Sequence, residues 1–374
     1  MDLGFSEDQE ALRDLARQIL GAHTTTDRLK QVEADPDRFD RSLWAELARA
    51  NLLGVGISED HGGIGGGLTE VCLLLEQAGA AAASVPLWPA LVLGARTITR
   101  YGSPSLRSSL LPRVVSGDAV LTAALAEPDS DDPLRPATTA TWEGDAWRLE
   151  GAKIAVPAAH LAERVLVPAR SNGGVGIFLL DPRSGGLTLE RQSATSGEIL
   201  SMLTLDGASV PEDDVLVEPG TDPAALGWLH DAALTGLCAL QVGMAERALH
   251  MTAEYLSGRE QFGRPLAKFQ AVQQRAADAY IDVEAMRWTM WQAAWRLDEG
   301  LPATDEVAIA KFWAADGGHR VLAAAQHLHG GIGVDMEYPL HRYTLGAKHV
   351  ELMLGGAGRQ LARLGAGMAS GGER

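Results

Sequence analysis

The sequence predicts an α+β chain built from three successive blocks. These are an N-terminal helical domain over residues 1–117, a middle β-barrel or sandwich over 118–219, and a C-terminal four-helix bundle over 220–374. Three observations carry that reading. Apolar residues at the start repeat near the helical period. After Gly117 the texture changes to short alternating runs broken by turn residues. From Pro223 to about Leu364 it returns to long helical stretches. Helices and strands segregated in this way indicate separate packed layers, not alternating strand–helix units. A chain of 374 residues also exceeds what one simple core serves.

The elements follow in order. Phe5, Leu12, Leu15, Ile19 and Leu20 share one helical stripe, and Ser6 with Gln9 forms a capping box. The segment RSLWAELARANLLGVGISEDHGGIGGG is a helix ended by a glycine-rich turn at 61–67. That turn lacks the GxxxxGK[ST] pattern and follows no clear strand, so it reads as a helix-to-helix connection. LTEVCLLLEQAGAAA is apolar on most faces and is expected to be buried. Residues 78–95 carry no charge over 18 positions, yet two prolines and much alanine argue for buried helix ends and a loop rather than a membrane span. The middle block holds AWRLEGAKIAV, ERVLVPAR, GVGIFLLD, LTLER and MLTLDGASVP as strands. The last block opens with a helix of more than 30 residues, and a second helix from near Phe269 carries Trp288, Trp291 and Trp295 on one face. Such a stripe is read as core or subunit interface. The tail ASGGER is expected to be disordered.

The formal charge of −17 removes nucleic acid and anionic membrane as default partners, while a phosphate-bearing ligand still needs only a local arginine and directed N–H groups. Cys72 and Cys238 are far apart and form no CxxC, which fits a reducing cytoplasm. The acidic, amphipathic N-terminus does not read as a signal peptide.

Two segments of the last third concentrate unusual chemistry: SGREQFGRPLAKFQAVQ at 257–273 and AAAQHLHGGIGVDMEYPLHRY at 323–343. The first joins an arginine, an aromatic and a tight Gly-Arg-Pro turn at a helix junction. The second offers paired glycines against which a flat ligand can lie. Either alone reads as a structural turn. With FSEDQEALRDLAR, LLGVGISEDHGG, LAEP, VPEDDVL and HGGIG in this order, the chain resembles the acyl-CoA dehydrogenase family over nearly its whole length. The resemblance implies FAD at a subunit interface and α,β-dehydrogenation of an acyl-CoA thioester. In that reaction a glutamate removes the α proton while the β hydride passes to the flavin. It assigns Arg259 to the pyrophosphate, where a guanidinium fork matches phosphate oxygens. It assigns Phe262 and Gln270 to further cofactor contacts, and Gly330 and Gly331 to backbone approach near the adenosine. His327 stands where the family often has glutamine.

The other half of the expected site departs from the family. The middle-domain loop, typically like TEPGAGSD, reads LAEPDSDDP at 125–133, keeping Glu127 and Pro128 but exchanging glycines for aspartates. Anions beside a group that gains negative charge are unfavourable by order 1 kcal/mol. The next strand, usually containing WIT, reads KIAVPAA at 153–159. The two positions at which family members place the catalytic glutamate hold Leu354 and Ala233, so no catalytic base is assigned. The pattern most closely resembles the base-lacking subunits of actinobacterial heteromeric acyl-CoA dehydrogenases, several of which act on steroid side-chain thioesters. It implies a heterotetramer with a second acyl-CoA dehydrogenase-like chain, an acyl-CoA substrate and electron-transferring flavoprotein as acceptor. Two alternatives stand beside it: an active homo-oligomer with the base relocated to Glu351, and a non-redox binding or structural member of the family. Asp231 is a weaker base candidate because it lies on another helix face. No metal site is assigned, since His327 and His329, two apart, match no ligand spacing among the loosely grouped His319, His327, His329, His341 and His349.

Overall fold

The structure, a computed structural model, describes residues 4–128, 130 and 132–370. Helix α1 (Glu7–His23) starts at the capping box: Gln9 N donates to Ser6 Oγ at 3.2 Å and Ser6 N donates to Gln9 Oε1 at 3.0 Å. Glu7, Asp8 and Glu10 in its first turn complement the helix dipole. The stripe it buries is Leu12, Ala16 and Leu20, whereas Leu15 is 40 % exposed. The small Ala16, not the larger Leu15, continues the i, i+4 row.

Helices α2 (Thr26–Glu33), α3 (Arg41–Arg49) and α4 (Leu68–Ala80) follow, with the glycine-rich turn joining the last two. The uncharged stretch closes α4, crosses a turn and enters a π-helical run, Trp88–Ala95, all of whose residues are buried. No described helix is long and apolar enough to cross a membrane. Helices α5 (Arg96–Tyr101) and α6 (Pro104–Val115) lead to the strands.

The strands are β1 (Leu121–Ala123), β2 (Thr139–Glu143), β3 (Ala146–Pro157), β4 (Arg164–Ser171), β5 (Gly174–Leu180), β6 (Leu187–Ser193), β7 (Ile199–Pro211) and β8 (Val215–Val217). They form one sheet in the order β6-β7-β3-β2-β4-β5-β8, with β1 on β4. The β1–β4 and β2–β4 pairs are parallel and the rest antiparallel, so the sheet is mixed. Inward residues Leu149, Val165, Val167, Phe178, Leu203 and Val210 make its core.

The remaining helices are α7 (Ala225–Gly258), α8 (Gln270–Asp298), α9 (Thr304–His329), α10 (Leu340–Leu352) and α11 (Ala357–Ser370). A two-stranded hairpin, β9 (Glu260–Gln261) and β10 (Arg264–Pro265), separates α7 from α8. Of the tryptophan stripe, Trp291 is buried edge-on to Phe5 at 5.1 Å, while Trp288 is 45 % exposed. Ala369 and Ser370 of the tail belong to α11, and the rest of ASGGER lies outside the described residues.

The chain divides into two compact units. One holds the residues up to Lys30, Cys72–Ala83 and the chain from Leu234 onward, and the other holds Gln31–Val71 and Ser84–Ala233. In the first unit α4 and α7 cross closely enough that a Cβ at Gly79 would meet Leu240 O at 2.2 Å, and one at Gly243 would meet Glu76 O at 1.9 Å.

Candidate functional site

At one end of the helical unit, the last turn of α7 hands the chain to the hairpin. Arg259 N donates to Tyr255 O at 2.9 Å, and Leu266 N donates to Arg259 O at 2.9 Å, closing the loop. Phe262 and Gly263 form its tip at φ 52° and 76°. The Phe262 ring is 90 % exposed. Phe269, edge-on at 6.1 Å, supports it, and the Arg264 guanidinium lies 4.0 Å over the Phe269 ring. A left-handed non-glycine residue carries roughly 1–2 kcal/mol of strain. Arg259, Gln270 and His327 are exposed, and no hydrogen bond or ion pair among the described residues engages their side chains.

The glycine pair sits at the end of α9. Gly330 adopts φ 66°, ψ −142°, a region open in practice only to glycine, and its N–H caps the helix on Gln326 O and His327 O. No atom lies within 4 Å of a Cβ built at Gly330 or Gly331, so both present bare backbone to open space. His329 fastens this turn. It is 3 % exposed and stacks on Tyr255 at 4.6 Å between ring centroids. Burial pulls its pKa down, so the ring is neutral. Nδ1–H then donates to Ala325 O at 2.8 Å, and Nε2 accepts from the Tyr338 hydroxyl at 3.1 Å. The Tyr255–His329 stack thereby brings the hairpin of Arg259 and Phe262 beside the Gly330–Gly331 turn. Sequence reading passed over Tyr255 and Tyr338 and counted His329 only within a loose histidine group. The available signal was Tyr255 one helical turn before Arg259. The cradle, the uncommitted guanidinium and the exposed ring fit the dinucleotide half of the FAD that the resemblance implies.

The two positions at which the resemblance places a base offer no carboxylate. Leu354 follows α10, half-buried, at φ 55°. The segment ahead of it is held by Lys311, whose buried Nζ donates to Val350 O at 2.6 Å and Glu351 O at 3.1 Å. Burial pulls the Lys311 pKa down to about 8. The Glu351 carboxylate is paired with Lys348 and lies 3.8 Å from His319 Nδ1, so it is engaged on its own helix face. Ala233, in the other unit, is fully buried, and its carbonyl accepts the Trp88 indole N–H at 3.0 Å.

In the strand-rich unit Glu127 makes a buried ion pair. Lys153 Nζ donates to Glu127 Oε1 at 2.7 Å and to Pro168 O at 2.8 Å. Glu127 also accepts from Thr138 N at 3.0 Å, Thr138 Oγ1 at 2.6 Å and Ala137 N at 2.5 Å. Burial alone would raise its pKa, but the Lys153 and Thr138 donors outweigh that and hold the carboxyl below its usual range. The residue retained from the LAEP motif therefore clamps the loop to β3. Further along, Ala155 and Ala158 both sit at φ 51°. Asp132 Oδ1 accepts from Leu134 N at 3.2 Å within its own turn, whereas Asp129 and Asp131 lie outside the described residues.

Comparison with known proteins adds a second line of observation. Residues 6–118 match the family described as acyl-CoA dehydrogenase, N-terminal domain, and residues 232–369 match acyl-CoA dehydrogenase, C-terminal domain. Acyl-CoA dehydrogenase FadE27 of Mycobacterium tuberculosis is 39 % identical over 377 residues, covering 99 % of each chain. Among solved structures, a chain of a variant of the Tcur3481–Tcur3483 steroid ACAD superposes with TM-score 0.93 at 46 % identity, covering 98 % of this chain and 99 % of that one. A chain of the ChsE4–ChsE5 complex from Mycobacterium tuberculosis gives TM-score 0.93 at 39 % identity, with 99 % of both covered.

Proposed function

Because the chain belongs to the acyl-CoA dehydrogenase family, we propose that it is the base-lacking subunit of a hetero-oligomeric, FAD-dependent acyl-CoA dehydrogenase. The observation that carries this reading is an asymmetry. Arg259, Phe262 and Gln270 stand exposed and uncommitted beside the Gly330–Gly331 cradle, while Leu354 and Ala233 occupy both base positions. Arg259 would hold the pyrophosphate by charge-assisted hydrogen bonds. Phe262 would cover apolar cofactor surface, Gln270 and His327 would offer hydrogen bonds, and Gly330 and Gly331 would admit the adenosine. FAD, when bound, supplies the hydride acceptor for α,β-dehydrogenation.

Proton abstraction needs a base within about 3 Å of the reacting carbon's hydrogen. The partner chain supplies it, together with the flavin pocket. In this chain Glu127 is spent on Lys153, and the 153–159 segment offers no other polar side chain. The similarity to chains of a steroid ACAD pair and of the ChsE4–ChsE5 complex supports a second acyl-CoA dehydrogenase-like partner and a steroid side-chain CoA thioester as substrate. A chain at 27 % identity belongs to a structure named for the electron transferring flavoprotein of Acidaminococcus fermentans, which supports such a flavoprotein as acceptor.

Co-expression tests the reading. This chain alone is expected to be colourless and inactive. With an acyl-CoA dehydrogenase-like chain encoded beside it, a yellow, active complex is expected with one FAD per pair of chains. Turnover by this chain alone refutes the proposal. Within the complex, Arg259→Glu sets an anion against the pyrophosphate and is expected to strip FAD, read from the flavin absorbance after desalting. Unchanged flavin content removes Arg259 from the site.

A further inference from the structure

Ala233 is more than a position without a carboxylate, because the fold closes the space around it. Leu229, Ala232 and Ala233 are 0 % exposed, His230 is 4 % and Asp231 is 5 %. Five consecutive residues exceed one helical turn of 3.6 residues, so every side of α7 is covered there. Only His230 and Asp231 keep a trace of accessible surface, so this turn offers no open face to a substrate cleft.

One group packed against this turn is identifiable. Trp88 opens the π-helical run and is 6 % exposed, and its indole N–H reaches Ala233 O at 3.0 Å. Regular α-helices rarely change to i→i+5 bonding. All residues of Trp88–Ala95 are buried, so the run is packed and not frayed.

From this packing we infer that Trp88 is an internal plug. It occupies the volume beside Ala233 and excludes a thioester's acyl chain from this turn of α7. The inference rests on the proposed function for its meaning, since that reading makes position 233 a place where family members do chemistry. It goes further by stating that the acyl side is filled as well as uncatalytic. An alkyl group needs contiguous empty volume, and a tryptophan side chain is larger than the leucine whose removal from another protein left a dry cavity of about 150 Å³ that took up benzene. Truncating the indole is therefore expected to open an apolar cavity at this point.

The test uses the two-chain complex. Crystals of the wild-type complex and of its Trp88→Ala variant are pressurised with xenon, and wild-type crystals are soaked with an S-alkyl-CoA thioether, which cannot be dehydrogenated at a thioester α-carbon. The expected result is xenon beside Ala233 in the variant only, and no alkyl density beside Ala233 in the wild type. Xenon or alkyl density at Ala233 of the wild type overturns the inference, as does a folded variant without xenon there. Should Trp88→Ala fail to assemble, the wild-type soak still decides. Flavin counting separates the two claims. Two FAD per pair with Ala233 empty of alkyl density defeats the division of labour and leaves the plug. One FAD per pair with alkyl density at Ala233 does the reverse.

Discussion

Replacing Lys153 by methionine tests the clamp between the 125–133 loop and β3. The side chains of Lys153 and Glu127 are 0 % and 4 % exposed, so water cannot take over for either partner. Breaking a buried pair by removing one partner costs about 3–5 kcal/mol, because the remaining charge is left uncompensated. Three donors remain on Glu127, from Ala137 and Thr138, which places the loss toward the lower end, near 3 kcal/mol. Pro168 O loses a donor too, adding about 1 kcal/mol. The sum, near 4 kcal/mol, is a large share of an ordinary domain's stability of 5–15 kcal/mol. In the variant the Glu127 carboxyl is desolvated without its cation, so its folded pKa rises above the unfolded value. A group so raised lends stability below its unfolded pKa and loses it as pH rises, so the deficit should shrink on acidification toward about pH 4. Urea unfolding at neutral and acidic pH, with Glu127→Gln and the double substitution completing a cycle, measures this. A loss below about 1 kcal/mol, equal at both pH values, would refute the claim that Glu127 is held as a buried anion by Lys153.

Three further outcomes are expected. Lys311 carries a burial penalty below its folded pKa of about 8, and between there and the unfolded 10.5 the unfolded state binds the extra proton, so stability rises with pH by order 3 kcal/mol. Lys311→Met should abolish that rise in unfolding curves taken across the interval. Gly330→Ala adds strain of about 1–3 kcal/mol at φ 66°, while Gly331→Ala leaves stability unchanged. Both should weaken FAD retention in the complex, measured by flavin fluorescence on dilution. Glu351→Gln should leave kcat of the complex within about twofold, whereas a relocated base would lose roughly 10²–10⁴.

Local physics made part of the molecule legible. A capping box is written within four residues, so Ser6 and Gln9 announced the start of α1. The uncharged stretch at 78–95 was recognisable as buried from its prolines and alanines, but its π-helical bonding was not, because no residue pattern distinguishes i→i+5 from i→i+4 ladders. Lys153 escaped for a different reason. Lysine is almost never fully buried unless paired, and its partner is 26 residues away on the far side of a loop. The Tyr255–His329 stack is likewise a long-range contact, invisible until α7 and α9 are packed together. The tight turns that carry Phe262 and the glycine pair were legible because short motifs carry their own geometry. What joins them was not.

Leu354 and Ala233 lack the same chemistry but differ in their surroundings. At Leu354 the backbone keeps a left-handed conformation that a leucine adopts only with roughly 1–2 kcal/mol of strain, and Lys311 and Gln360 hold the flanking carbonyls of Val350, Glu351 and Gly355. That segment is shaped by its supports, not by the side chain it presents. At Ala233 the backbone carbonyl is engaged by the Trp88 indole, and a glutamate placed there would bury a carboxylate in a turn whose residues are all buried. A carboxyl placed at 354 would therefore sit on a half-buried loop, whereas one placed at 233 would be enclosed beside the Trp88 indole.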